Sequence, residues 1–162
     1  SGVFLCVANV LAGTTANRLL VYHFSDGNLY VQFDGANYGY FAQSLTDLGW
    51  HSLIVLFDGT ATGNSNRLKV WVDGTAKTLT FVGTVPSQLT TITAGRLVLG
   101  AICDTSTLYG RSRMDDVRVN VRLFSDSERA EIDASRGGTY ATASGGGASQ
   151  LINGGLVRGQ VL

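Results

Sequence analysis

From Val3 onward, apolar and polar residues alternate with a period of two wherever turn residues stop, the signature of strands with one dry and one wet face. The alternation predicts strands over Val3–Val10, Arg18–Phe24, Asn28–Asp34, Tyr38–Phe41, His51–Asp58, Arg67–Val72, Lys77–Val82, Gly95–Ala101 and Met114–Leu123. In RLKVWVDG, Leu68, Val70 and Val72 share one face, and Lys69, Trp71 and Asp73 share the other. In RVNVRL, Val119, Val121 and Leu123 oppose Arg118, Asn120 and Arg122. Asp26-Gly27 and Asp73-Gly74 read as two-residue hairpin loops, because a type I′ turn needs positive φ at both central positions. Short one-sided strands joined by such turns pair antiparallel, and so many of them in one domain predict two stacked sheets.

One helix interrupts the pattern. Ser125-Asp126-Ser127-Glu128 forms a capping box in which Ser125 and Glu128 satisfy each other's orphan amides, opening a helix that runs to about Ala134. Gly137-Gly138 stops it. From there TYATASGGGASQLINGGLVRGQVL has the composition of a flexible linker, yet carries Leu151, Ile152, Leu156, Val157, Val161 and Leu162 as apolar anchors. This divides the chain into a sandwich over 1–136 and a Gly-rich C-terminal arm over 137–162 that needs the sandwich or a neighbouring subunit to dock on.

Composition narrows the function. The chain has 162 residues, enough for one core. With 12 Lys plus Arg against 12 Asp plus Glu, no long-range field gathers nucleic acid or anionic membranes. The longest apolar run, Leu53–Phe57, is far short of the roughly 20 residues that span a bilayer, and the first residues lack a signal-peptide pattern. The chain reads as soluble, and its start at Ser1 fits a processed product or a fragment. The 21 Gly and single Pro, with β-branched and aromatic residues between, favour many strands and tight turns. Cys6 and Cys103 leave pairing open, since a disulfide depends on a spatial approach that sequence spacing does not give. His23 and His51 lack the spacing of a zinc site.

Four blocks in order carry a resemblance: WHSLIVLFDG (Trp50–Gly59), RLKVWVDG (Arg67–Gly74), RLVLGA (Arg96–Ala101) and MDDVRVNVRLFSDSE (Met114–Glu128). Together, over about Leu19 to Ile132, they resemble the concanavalin A-like lectin/glucanase superfamily, and within it the laminin G-like jelly rolls of bacterial surface, secreted and viral proteins. The resemblance implies an all-β, two-sheet antiparallel jelly-roll sandwich with one short helix and an extended C-terminal arm. His51–Phe57 and Leu68–Val72 would be two central strands, with DGTATGNSN a rim loop. Family members usually open with a further strand or two, absent here. Such a loss leaves a sheet edge or a core face to be covered by upstream residues, a neighbouring subunit or the segment Gln150–Leu162.

The candidate chemistry points away from catalysis. Retaining glycosidases place two carboxyl groups roughly 5 Å apart across a cleft, whereas the only two Glu, Glu128 and Glu131, fall on the short helix. His51 reads as a core or interface residue, because neither His neighbours a nucleophile elbow. A calcium site is the better metal candidate. Asp115 shares a face with Val117, Val119 and Val121 and needs a neutralising partner, and Asp34, Asp58, Asp104 and Asn64 could add the oxygens calcium prefers. The alternative is hydrogen bonding or pairing of Asp115 with Arg111 or Arg113. For ligand contact, Asn37, Tyr38, Tyr40, Trp71 and Tyr109 combine flat apolar faces with polar tips suited to glycans or protein surfaces. Trp71 is exposed or partner-covered if Leu68, Val70 and Val72 are core, and buried if the strand is covered on both faces. The expected function is a non-catalytic recognition or adhesion module of a larger assembly on a cell or virion surface, binding glycan or protein through rim loops. The alternative is a structural decoration protein of a bacteriophage or other virion, held to neighbouring subunits by its arm.

Overall fold

The computed structural model describes residues 2–9, 18–45, 49–89, 95–101, 114, 117–120 and 122–134. In chain order its elements are β1 (Gly2–Asn9), β2 (Arg18–His23), β3 (Asn28–Gln32), β4 (Tyr38–Ala42), β5 (Leu53–Phe57), α1 (Asn64–Arg67), β6 (Leu68–Val72), β7 (Thr75–Lys77), β8 (Thr80–Val82), β9 (Gly95–Leu99) and α2 (Asp126–Ala134). They build a six-stranded antiparallel sheet, β8-β4-β3-β2-β1-β9, and a three-stranded one, β5-β6-β7. The period-two reading holds in the packing. Val21, Leu29, Val31 and Phe41 of the larger sheet meet Leu68, Val70 and Val72 of the smaller in one buried cluster, with Lys69 exposed between its buried neighbours.

Turn chemistry fixes the registers. Asp73 and Gly74 both have positive φ, 53° and 73°, as a type I′ loop requires. At Asp26-Gly27 the outcome differs: Gly27 alone is positive, at 83°, and Phe24 pairs with Asn28 around the three residues between them. There Gly27 donates its amide to the Phe24 carbonyl. The sequence gives the same dipeptide signal to both loop types.

Two strand expectations are corrected. Lys77–Val82 is not one strand: β7 closes the small sheet, β8 the large one, and Thr78-Leu79 crosses between them. Among the described residues β5 pairs with β6. Met114–Leu123 forms no strand in its described part, and Val117, Val119 and Leu123 are 44%, 61% and 50% exposed. Alternation prepares a strand, but the strand forms only where a neighbour takes its hydrogen bonds. Val121 and the arm over 137–162, with its anchors Leu151, Ile152, Leu156, Val157, Val161 and Leu162, lie outside the described residues.

The capped helix forms as the sequence implies. The Ser125 amide donates to Glu128 Oε2 at 2.8 Å, and the Glu128 amide donates to Ser125 Oγ at 3.3 Å. No helix of the described residues is long and apolar enough to cross a membrane.

Truncating Leu68, 1% exposed at the centre of the core, is expected to cost about 2–5 kcal/mol. Lys69→Ala on the wet face should stay within about 0.5 kcal/mol. Urea denaturation of the two variants checks the assignment of faces.

Candidate functional site

The outward face of the six-stranded sheet is apolar where a two-layer sandwich is ordinarily polar. Cross-strand register places Val98, Cys6, Leu20, Gln32, Tyr38 and Val82 in one row across all six strands. The next row holds Val3, Tyr22, Tyr30, Tyr40 and Thr80. A register shift between Val3 and Leu5 lets both Phe4 and Leu5 pack on the inner cluster while Val3 stays on the outer face. Val3, Cys6 and Leu20 are buried there, with Tyr22 and Val98 packed against them.

The aromatic half of this face is one stacked array. Tyr30 stacks on Tyr22 at 5.0 Å and on Tyr40 at 5.3 Å, with interplanar angles of 10° and 20°. Phe24, 47% exposed, stands edge-on to both Tyr22 and Tyr30, and Tyr38 tilts against Tyr30 and Tyr40. The central ring, Tyr30, thus has both faces covered by its neighbours. The Tyr30 hydroxyl donates to Asp26 Oδ2 at 2.6 Å, which lowers the Asp26 carboxyl and pushes the Tyr30 phenol up to about 12. At the edge of the array Arg18 donates through Nη2 to Gln32 Oε1 at 2.7 Å.

The other sequence candidates fall into two separate places. Asp34, Asn37 and Asn64 meet at one rim of the sandwich. Asp34 Oδ1 accepts the Ala36 and Asn37 amides, and Oδ2 accepts Asn37 Nδ2 at 2.7 Å. Burial pushes the Asp34 carboxyl up, but these donors outweigh it and its pKa is lowered. Asn37 Oδ1 takes the Thr84 amide. Asn64 donates to the Gly83 carbonyl and accepts from the Val85 amide, and Arg67 Nη1 donates to the Val85 carbonyl. Each amide side chain is engaged at both ends, so this rim is a loop tie. Asp58 caps its own turn through the Thr60 hydroxyl and amide, which lowers its carboxyl. Among the described residues no three His, Cys, Asp or Glu converge in a way that could hold a metal ion. Asp104, Asp115 and Tyr109 lie outside the described residues, as does Cys103.

Trp71 lies on the opposite side of the molecule from Tyr38 and Tyr40, on the outward face of the small sheet. It is half-buried, with the Arg129 guanidinium of α2 4.4 Å from its ring centroid. The chain's own helix α2 thus covers part of the ring. Ser52 Oγ donates to Asp133 of the same helix, and Asp133 occupies the space that a side chain at Gly74 would need. His51 Nδ1 lies 2.7 Å from Asp73 Oδ2 at the adjoining strand end. A shallow cavity of about 240 Å³ remains between α2 and Ile54 and Trp71.

Of the rings in this array the sequence reading named Tyr38 and Tyr40 and did not name Tyr22, Tyr30 and Phe24. The usable signal was the hairpin: once Phe24 pairs with Asn28, Tyr22, Tyr30 and Tyr40 fall at one level of the sheet.

Asp26→Asn replaces the charged acceptor of the Tyr30 proton with a neutral one, so the phenol is expected to fall from about 12 toward its ordinary value of 10.0. Because the folded pKa is the raised one, this contribution to stability is complete below about pH 10 and fades as pH climbs toward 12. Ring NMR titration of the wild type and Asp26→Asn measures both. Compared with known proteins, the chain matches no family model, no curated protein and no solved structure.

Proposed function

We propose that this chain is a non-catalytic recognition module of a larger surface assembly, folded as a jelly-roll sandwich of the concanavalin A-like, laminin G-like kind. It makes its contact through the tyrosine array on the outward face of the six-stranded sheet. The observation that carries the reading is the cluster of half-open rings on the outward face of β2, β3 and β4, where Tyr22, Tyr30 and Tyr40 share one cross-strand row. Rigid amphipathic rings give large contact area at low entropic cost, which is why tyrosine is enriched where proteins recognise one another.

Ring geometry favours a protein neighbour over a glycan. A sugar stacks on an open π face, whereas Tyr30 has Tyr22 on one face and Tyr40 on the other. What the array offers is ring edges, hydroxyls and the exposed Phe24, a surface suited to close packing. The near-zero formal charge supports short-range contact rather than electrostatic steering. Asp26, Asp34 and Asp58 each serve the turn that carries them, which agrees with a non-catalytic role.

The test combines sedimentation with an immobilised glycan panel read with and without EDTA. The chain should associate with itself as concentration rises and ignore the glycans. The double variant Phe24→Ala/Tyr40→Ala should weaken association at least tenfold while Trp71→Ala leaves it unchanged. Glycan binding that EDTA abolishes, or association indifferent to the double variant, would overturn the reading.

A further inference from the structure

The Tyr30 hydroxyl and the rings around it form a group whose chemistry a contact surface does not use. A phenol that loses an electron becomes a strong acid, so its ease of oxidation depends on an acceptor for the hydroxyl proton. Asp26 Oδ2 takes that hydrogen bond at 2.6 Å, within the reach at which a positioned base removes a proton. Asp26 Oδ1 accepts the Asn28 amide at 2.9 Å, which fixes the carboxylate in its turn. The bonds from Tyr30 and Asn28 hold the Asp26 carboxyl below its ordinary range, so at neutral pH it is ionised and free to take a proton. Asp26 is also exposed and can pass that proton on to water.

The other rings of the array lack this arrangement. Among the described residues, no carboxylate meets the hydroxyl of Tyr22, Tyr38 or Tyr40. Tyr22 and Tyr40 instead cover the two faces of Tyr30, with centroids 5.0 and 5.3 Å away. Rings in such contact can pass an electron inward, so a vacancy created on an outer ring moves to the phenol whose proton has a fixed acceptor. Once there, it sits between two rings that block addition to its faces.

We infer that Tyr30 is a redox site, giving one electron to an outer-sphere oxidant of the haem-peroxidase class while its hydroxyl proton passes to Asp26. The Tyr30 O–H bond breaks: the electron goes to the oxidant and the proton to Asp26 Oδ2. What remains is a neutral phenoxyl ring and a neutral carboxyl, which then releases its proton to water. The covered faces of Tyr30 select an oxidant that accepts an electron at a distance over a reagent that adds to the ring. Oxidation needs no second protein surface, so it stands whether or not the array is a contact site.

Flash-generated tris(bipyridyl)ruthenium(III) serves as the oxidant in the test, with phenoxyl absorption and electron paramagnetic resonance as readouts. The full chain should show a fast phase of phenoxyl formation, slower in D2O than in H2O. Asp26→Asn keeps an oxygen for the Asn28 amide but loses the base, and should slow that phase at least about tenfold. Asp58→Asn, in a turn that carries no ring of the array, should leave it unchanged. Tyr30→Phe should abolish the fast phase and alter the resonance spectrum, whereas Tyr22→Phe keeps the wild-type spectrum. A fast phase that survives Asp26→Asn overturns the inference, as does a spectrum unaltered in a Tyr30→Phe variant whose circular dichroism matches the wild type.

Discussion

The structure depends on one mismatch: a wide sheet packed against a narrow one. Burial of aliphatic side chains between two layers is the main stabilising term in such a fold, and it acts only where both layers are present. Val21, Leu29 and Val31 find Leu68, Val70 and Val72 across the gap and are closed to water. Leu97 and Leu99, on the same face of the same sheet, find no strand of the described fold opposite them and stay open. The buried cluster and the exposed leucines have the same cause.

The outward faces solve a different problem, and each sheet solves it with its own chemistry. The small sheet covers Trp71 with Arg129, a cation over an indole ring, and ties the covering helix through Ser52 and Asp133. α2 is suited to this because its carboxylates and cations are paired nearby: Arg129 with Asp126, and Arg122 with Glu128, whose carboxyl is pulled down to about 2 by the guanidinium. These exposed pairs fix geometry more than they add stability. On the large sheet the aromatic residues cover one another instead.

How much of this was legible follows from the range of the interaction concerned. Leu68, Val70 and Val72 were legible because strand alternation is a local property of the chain, and the Ser125–Glu128 cap because all its partners lie within one turn. The rim tie was not read: Asp34 and Asn64 stood as possible calcium ligands and Asn37 as a ligand contact, because the Thr84 amide that Asn37 holds comes from a distant loop. Arg129 over Trp71 is a pairing no local pattern encodes. Lys77–Val82 was misread for a related reason: both halves alternate well, and only the existence of two sheets explains why the chain changes layer at Thr78-Leu79.

Stacking also changes what a tyrosine can do. An isolated tyrosine on a sheet keeps two χ angles and an open π face, and ordering it on contact carries an entropic cost. In the row Tyr22, Tyr30 and Tyr40 each ring limits its neighbour, and the Asp26 acceptor holds the central hydroxyl. The ordering is completed within the fold before any contact is made. The open π faces are lost in the same step, because a ring cannot stack on its neighbours and on a sugar at once. Rigidity gained through stacking is therefore the physical ground for proposing a partner that packs against ring edges and bonds to hydroxyls, as a second protein surface would.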